Sequence, residues 1–194
     1  MTASAPNLQM RDELYRQGLE TLCRRWFQPN FVAAEIGVFA GEGSAILSRH
    51  VGRLICIDPW DPAYETDILE GCTNADLAQE IRDGGVSIRR AEAAFDAVRR
   101  AQVNIVKVVA RDEQVVDLFS DAAFDAVYID AAHTADAVTA QLQAWLPKVR
   151  PGGCIAGHDY SPDWPGVVEA VTRLIGAPDE VFEDTSWVKR VGSV

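Results

Sequence analysis

The stretch Glu35-Ile36-Gly37-Val38-Phe39-Ala40-Gly41-Glu42-Gly43-Ser44 decides the fold. It closes an apolar run, Val32 to Ile36, that reads as a buried strand, and it opens Ser44 to His50, which has helical spacing. The glycines follow the pattern Gly-x-x-x-Gly-x-Gly, which lets the backbone approach a ligand closely and equally suits a plain strand-to-helix turn. It is not the G-x-G-x-x-G dinucleotide fingerprint.

Outward from this turn the rhythm repeats. Leu54 to Asp58, Asn104 to Val109, Ala126 to Asp130 and Gly153 to His158 read as strands, and Ser87 to Ala101, Asp112 to Phe119 and Thr134 to Leu146 as helices between them. Strands that alternate with helices imply right-handed crossovers and a parallel sheet covered on both faces. After a helix over Gly166 to Ile175, the runs Glu180 to Glu183 and Trp187 to Val191 are parted only by Asp184-Thr185-Ser186, the mark of a closing antiparallel hairpin. The expected fold is therefore α/β, Rossmann-like and doubly wound, with a mostly parallel seven-stranded sheet and a C-terminal antiparallel hairpin. Upstream, Leu8 to Phe27 has the spacing of an amphipathic helix ending near Gln28-Pro29-Asn30, so residues 1–30 are expected to form a tail and helix and residues 31–194 the main domain. The stretch Pro59 to Val86 has no clear period and is expected to lie over the site as a lid, the alternative being a merely decorative connection.

Composition narrows the function. With 18 basic and 29 acidic residues the 194-residue chain carries a formal charge of −11, which repels a phosphate backbone and makes nucleic acid an unsuitable partner. Cys23, Cys56, Cys72 and Cys154 lack any C-x-x-C pairing and read as reduced thiols of a cytoplasmic protein. Residues 1–7 have no basic stretch followed by an apolar one, and no long apolar run occurs, so neither export nor membrane anchoring is expected.

Ligands of open α/β sheets bind beyond the carboxyl ends of the strands. There the second strand ends in Ile57-Asp58-Pro59-Trp60, with a carboxylate about 20 residues past the glycine turn, where it can accept from both hydroxyls of a ribose or simply start a turn before proline. The third ends at Ala110-Arg111-Asp112, where the loop can border an adenine ring and Asp112 can cap a helix. Together these residues resemble the class I S-adenosylmethionine-dependent methyltransferases over Val32 to about Val191. The resemblance implies that Glu35 opens the first cofactor motif, that Gly37, Gly41 and Gly43 approach the methionine part, that Asp58 holds the ribose, and that Arg111 and Asp112 line the adenine.

Two of the three histidines sit at strand ends beside acids, in Asp130-Ala131-Ala132-His133 and in His158-Asp159. Neighbouring strand ends share one edge of the sheet, so Asp130, His158 and Asp159 can converge as a site for Mg²⁺ or Mn²⁺, binding substrate hydroxyls and lowering the pKa of the reacting one. His133 then fits a general base, and it also fits a cap on the helix near Thr134. Asp130 and Asp159 have a plainer reading as loop and capping residues. His50 reads as a surface residue at a helix end.

The segment Asp130 to Tyr160 resembles metal-dependent O-methyltransferases of macrolide sugars and related natural products, with Asp130, His133 and Asp159 matching in type and order and His158 departing from the acid often found there. The resemblance implies transfer of a methyl group from S-adenosylmethionine to a hydroxyl of a sugar or sugar-containing small molecule, assisted by Mg²⁺. Catalysis would then fall to His133 and Asp130, with His158 either a metal ligand or a second base. Trp60, Tyr64, Tyr160 and Trp164 are candidate walls for a sugar ring or parts of the core. The alternatives are a catechol-type methyltransferase, a nicotinamide-dependent or hydroxylase-like oxidoreductase, and an inactive cofactor-binding protein. A homodimer through the leading helix is expected as well.

Overall fold

The computed structural model describes residues 8–64, 69–84 and 87–192. The sheet has the order β3-β2-β1-β4-β5-β7-β6, formed by β1 (Val32–Ile36), β2 (Arg53–Asp58), β3 (Ile105–Val109), β4 (Phe124–Ile129), β5 (Val149–Gly157), β6 (Glu180–Val181) and β7 (Trp187–Arg190). The first five run parallel, while β7 pairs antiparallel with both β5 and β6. This is the expected doubly wound sheet with its closing hairpin.

The helices are α1 (Leu8–Trp26), α2 (Glu42–Leu47), α3 (Ala75–Gly84), α4 (Ile88–Ala101), α5 (Asp112–Val115), α6 (Ala135–Trp145) and α7 (Pro165–Ile175). Alternation along the strands splits the core in two. Ala33 and Tyr128 face one layer with Leu19, Leu22 and Cys23 of α1, Leu47 of α2 and Phe95 of α4. Ala34, Val127 and Ile129 face the other with Leu142 and Trp145 of α6 and Val167 and Val171 of α7. Leu19, Leu22 and Cys23 are fully buried, so α1 is built into the same core as the sheet.

Three boundaries differ from the sequence reading. The stretch Asp112 to Phe119 divides into the four-residue α5 and a 3₁₀ turn, Val116–Leu118. Strand β5 starts at Val149 rather than Gly153, because its polar start is still paired: Val149 lies opposite Phe124, and Arg150 forms an ion pair with Asp125. Helix α3 lies in the stretch read as having no period; among its ten residues four are apolar, Ala75, Leu77, Ala78 and Ile81.

The four cysteines are free and three are buried. Burial raises the Cys23 and Cys56 thiols far above their usual range and Cys154 to about 12, so these are inert core groups. No helix among the described residues is long and apolar enough to cross a membrane.

Glu35 is a carboxyl buried in the middle of the sheet. It accepts hydrogen bonds from Ser44 Oγ in α2 and, at 3.3 Å, from Cys56 Sγ in β2. Burial raises it from 4.5 to about 8, so the fold favours its neutral form. A carboxyl raised in the folded state contributes stability that is complete below its unfolded pKa and lost as pH rises toward the folded value. Glu35→Gln keeps the acceptor without the charge. Thermal unfolding from pH 5 to pH 8 is expected to show the variant gaining on the parent at about 1.4 kcal/mol per pH unit. A difference flat with pH would show that Glu35 titrates as it does in water.

Candidate functional site

The strand order reverses between β1 and β4, and this is where an open parallel sheet leaves a crevice at its carboxyl edge. The glycine turn fills the β1 side of that crevice. Gly37 extends the parallel register, its N–H donating to Ile57 O at 3.0 Å, and it has φ +80°. A Cβ there would collide with the backbone carbonyl of Asp130, so only glycine lets the two loops meet. Gly41, at φ +85°, is the N-cap of α2, and a Cβ on it would lie 2.8 Å from the Phe95 ring. Gly43 is buried inside the first turn of α2.

The expected cofactor acids are placed in three ways. Asp58 stands at the mouth of the turn, its Oδ2 accepting from the N–H groups of Val38 at 2.9 Å and Phe39 at 3.1 Å and its Oδ1 from Trp60 N–H at 2.7 Å. Glu35 lies behind the turn with its carboxyl bound to Ser44 and Cys56. Asp112 points inward, accepting from Trp145 Nε1 at 3.0 Å and Gln141 Nε2 at 3.4 Å, and burial raises its pKa. Arg111 is exposed and bridges to Glu113 at 2.7 Å.

On the β4 and β5 side, ligand atoms of Asp130, His133 and Asp159 lie within 4.8 Å of one another. His133 Nε2–H donates to Asp159 Oδ2 at 2.9 Å. An ionised carboxylate only accepts, so this bond fixes the imidazole proton on Nε2 and leaves a lone pair on Nδ1. That Nδ1 is buried and has no hydrogen-bond partner. The ring is held flat by Trp164, whose centroid is 4.0 Å away.

His158 lies on the other side of Asp159, with Nδ1 3.2 Å from Oδ1, and its carbonyl accepts from Trp187 Nε1 at 3.2 Å. Burial opposes its charge, but Asp130, Asp159 and Asp184 outweigh that and lift it to about 9. Burial likewise works against the Asp159 charge, while the hydrogen bonds from both histidines hold its carboxyl well below the usual range. His158 and Asp159 thus form an ion pair. Asp159 itself has φ +63°, a strained conformation for an aspartate.

Part of the expected lid reaches these residues. A Cβ on Gly71 would lie 3.1 Å from His133 O. Thr73 N–H donates to Asp163 O at 3.0 Å, and Asn74 Nδ2 to Asp163 Oδ1 at 3.2 Å. Residues 65–68 and 85–86 of that stretch, and the Tyr64 side chain, lie outside the described residues. Among the cluster residues a cavity of about 10 Å³ is lined by Asp130, Ala132, His133, His158 and Asp159, room for about one water. A wider groove of about 1210 Å³ runs from Ala40, Gly41 and Glu42 along α1 to Phe182 and Glu183.

Two of the expected sugar walls are closed off. Trp60 is 5% exposed and Trp164 6%; the first stacks on Phe95 and the second on His133. Tyr160 is half-buried, its hydroxyl 3.0 Å from Thr172 Oγ1. His50 is half-buried too, with Nε2 3.0 Å from Glu20 Oε1. The Trp164 stack and the glycines at 71 and 166, both packed on the His133 carbonyl, were missed. The Trp-Pro-Gly run at 164–166 was their one visible signal.

Residues 34–160 match a methyltransferase domain family. The chain belongs to that family. Its cofactor is accordingly S-adenosylmethionine. The fold is similar to that of the O-methyltransferase NovP, with 16% identity over 94% of this chain and 80% of NovP and a TM-score of 0.60. It is also similar to a protein of Corynebacterium glutamicum (16% identity, 98% of this chain and 84% of that one, TM-score 0.55). A third likeness is to phosphoethanolamine N-methyltransferase 1 of Haemonchus contortus, solved with phosphoethanolamine and S-adenosylhomocysteine (13% identity, 81% of this chain and 28% of that one, TM-score 0.55). No curated protein matches the chain.

For a methyltransferase with this turn, Gly37→Ala is a direct test. The substitution adds left-handed strain of about 1–2 kcal/mol and a collision with Asp130 O. Expected are a lower unfolding temperature and at least a tenfold loss of S-adenosylhomocysteine affinity by calorimetry. Unchanged affinity would mean that the cofactor does not depend on this contact.

Proposed function

We propose that this methyltransferase transfers the methyl group of S-adenosylmethionine to a hydroxyl of a sugar or sugar-containing small molecule, with the acceptor deprotonated at Asp130, His133 and Asp159. The observation that carries the reading is the packing of Gly37 against the Asp130 carbonyl, which sets the cofactor turn directly against that cluster. A sulfonium methyl is already activated, so the protein's work is alignment and removal of a proton. His133 is the proton acceptor: Asp159 fixes its tautomer, Trp164 fixes its plane, and the Nδ1 lone pair has no other partner.

The same donors fit a divalent cation. The Asp130 and Asp159 carboxylates, with ligand atoms within 4.8 Å of each other, form a hard oxygen pair suited to Mg²⁺ or Mn²⁺. Asp130 and Asp159 would hold it. An ion there supplies positive charge that lowers the pKa of an acceptor hydroxyl. His158 Nδ1, 3.2 Å from Asp159 Oδ1, competes for that carboxylate.

The acceptor class follows from what the surroundings favour. A charge of −11 disfavours phosphate-rich substrates, and among the described side chains Tyr160 is the candidate aromatic wall left for a sugar ring. The strap at Gly71 to Asn74 and the helix α1 flank the approach. Free cysteines suit a reducing cytoplasm.

Methyl transfer to glycosylated acceptors and to catechols, with and without Mg²⁺ and a chelator, tests the reading. Expected is transfer to the sugar hydroxyl that the chelator reduces and Asp130→Asn no longer recovers with Mg²⁺. His133→Ala is expected to keep Mn²⁺ binding, measured by electron paramagnetic resonance, and to lose about 10²–10⁴-fold in kcat. Loss of Mn²⁺ binding would make His133 a ligand instead of the base. Turnover of catechols alone would overturn the sugar assignment.

A further inference from the structure

The indole of Trp60 lies outside the proton-transfer cluster and beneath the cofactor turn. Phe39, in that turn, has φ +50°, and Trp60 has φ +43°; side chains rarely adopt this region unless something holds them there. Both ends of the Phe39 peptide frame are held. Its N–H donates to Asp58 Oδ2 at 3.1 Å, and its carbonyl accepts from Trp60 Nε1–H at 2.8 Å. Trp60 in turn gives its own N–H to Asp58 Oδ1 at 2.7 Å, so Asp58, Phe39 and Trp60 form a closed ring of hydrogen bonds.

That ring is braced from α4 and β3. The Trp60 ring stacks on Phe95, with centroids 5.0 Å apart and an interplanar angle of 23°, and Phe95 is the residue that fills the space left by Gly41. Lys107 Nζ sits 4.7 Å from the indole centroid, fixed by Glu92 at 2.8 Å and Asp96 at 3.1 Å. A cation over an indole face is attracted by the ring's electron density. The braced indole leaves the Phe39 side chain 41% exposed on the turn.

We propose that Trp60 is a positioning residue for the cofactor turn, holding Phe39 in its left-handed conformation through the Nε1–H bond to the Phe39 carbonyl so that the turn is shaped before S-adenosylmethionine arrives. The proposal rests on the cofactor reading of that turn. Pre-shaping lowers the ordering cost of binding, so the effect belongs in cofactor affinity rather than in the methyl-transfer step.

The test is a double-mutant cycle read by calorimetry with S-adenosylhomocysteine. Trp60→Phe keeps an aromatic ring on Phe95 and removes the Nε1–H donor. Its Kd is expected to rise about 3–10-fold, the worth of one net hydrogen bond, with kcat at saturating S-adenosylmethionine unchanged. Phe39→Gly supplies a residue that takes positive φ without being held. In that background Trp60→Phe is expected to change Kd less than about twofold. Lys107→Met, which leaves the indole in place, is expected to raise Kd about 2–5-fold and serves if Trp60→Phe does not fold.

Unchanged affinity in Trp60→Phe, or an equal loss with phenylalanine and glycine at position 39, overturns the proposal. The equal loss would show that Trp60 only supports the fold. If the parent protein fails to bind S-adenosylhomocysteine, the cofactor reading falls and takes this proposal with it; parent binding with an unaffected variant sinks this proposal alone.

Discussion

The contact between Gly37 and the carbonyl of Asp130 has no room for a side chain, and the rest of the site depends on it. Because β1 and β4 are neighbours at the point where strand order reverses, the loops leaving them must either diverge or touch. Glycine at 37 lets them touch. The glycine turn, held by β1 and β2, and the acid-histidine cluster, built on β4 and β5, thereby share a wall. Two parts of a site that must keep a fixed separation are held more rigidly by such a backbone contact than by side chains.

Around that contact, acids work mainly as internal braces. Glu35 ties α2 to β1 and β2, Asp58 gathers three backbone N–H groups, and Asp112 anchors α6 through Trp145 and Gln141. Asp159 holds two imidazoles at once. Strained backbone collects in the same region, at Phe39, Trp60 and Asp159, where hydrogen bonds over-determine the conformation. A carboxylate that accepts several bonds is well suited to this, since each oxygen has two lone pairs.

The sheet was legible because the parallel strands contain short, mainly apolar runs, four of the five ended by glycine or by an acid, as at Ile36-Gly37 and Ile57-Asp58. Where a strand began with polar residues, as at Val149 to Gly153, periodicity had nothing to register, and only the pairing with Phe124 and the ion pair to Asp125 reveal it. Strand ends meeting at one edge made the convergence of Asp130 and Asp159 legible, but that reasoning put His158 with them, whereas the ligand atoms that gather are those of Asp130, His133 and Asp159. The separate places of His158 and Asp159 were not legible, because they follow from the left-handed turn at Asp159. Likewise, no pattern distinguishes an indole that walls a pocket from one that clamps a loop. Trp60 shows which it is through Phe95, Lys107 and the Phe39 carbonyl.

The division of labour along the sheet edge has an evolutionary consequence. The glycine turn and Asp58 belong to β1 and β2, whereas the loop that carries Asp159, and Asp163 on which residues 73 and 74 dock, follow β5. Loops tolerate exchange and insertion far better than the strands that carry them. Residues 69–74 and 160–163 can therefore vary while the glycine turn and the Trp164–His133 stack stay untouched, as when one handle is fitted with different blades.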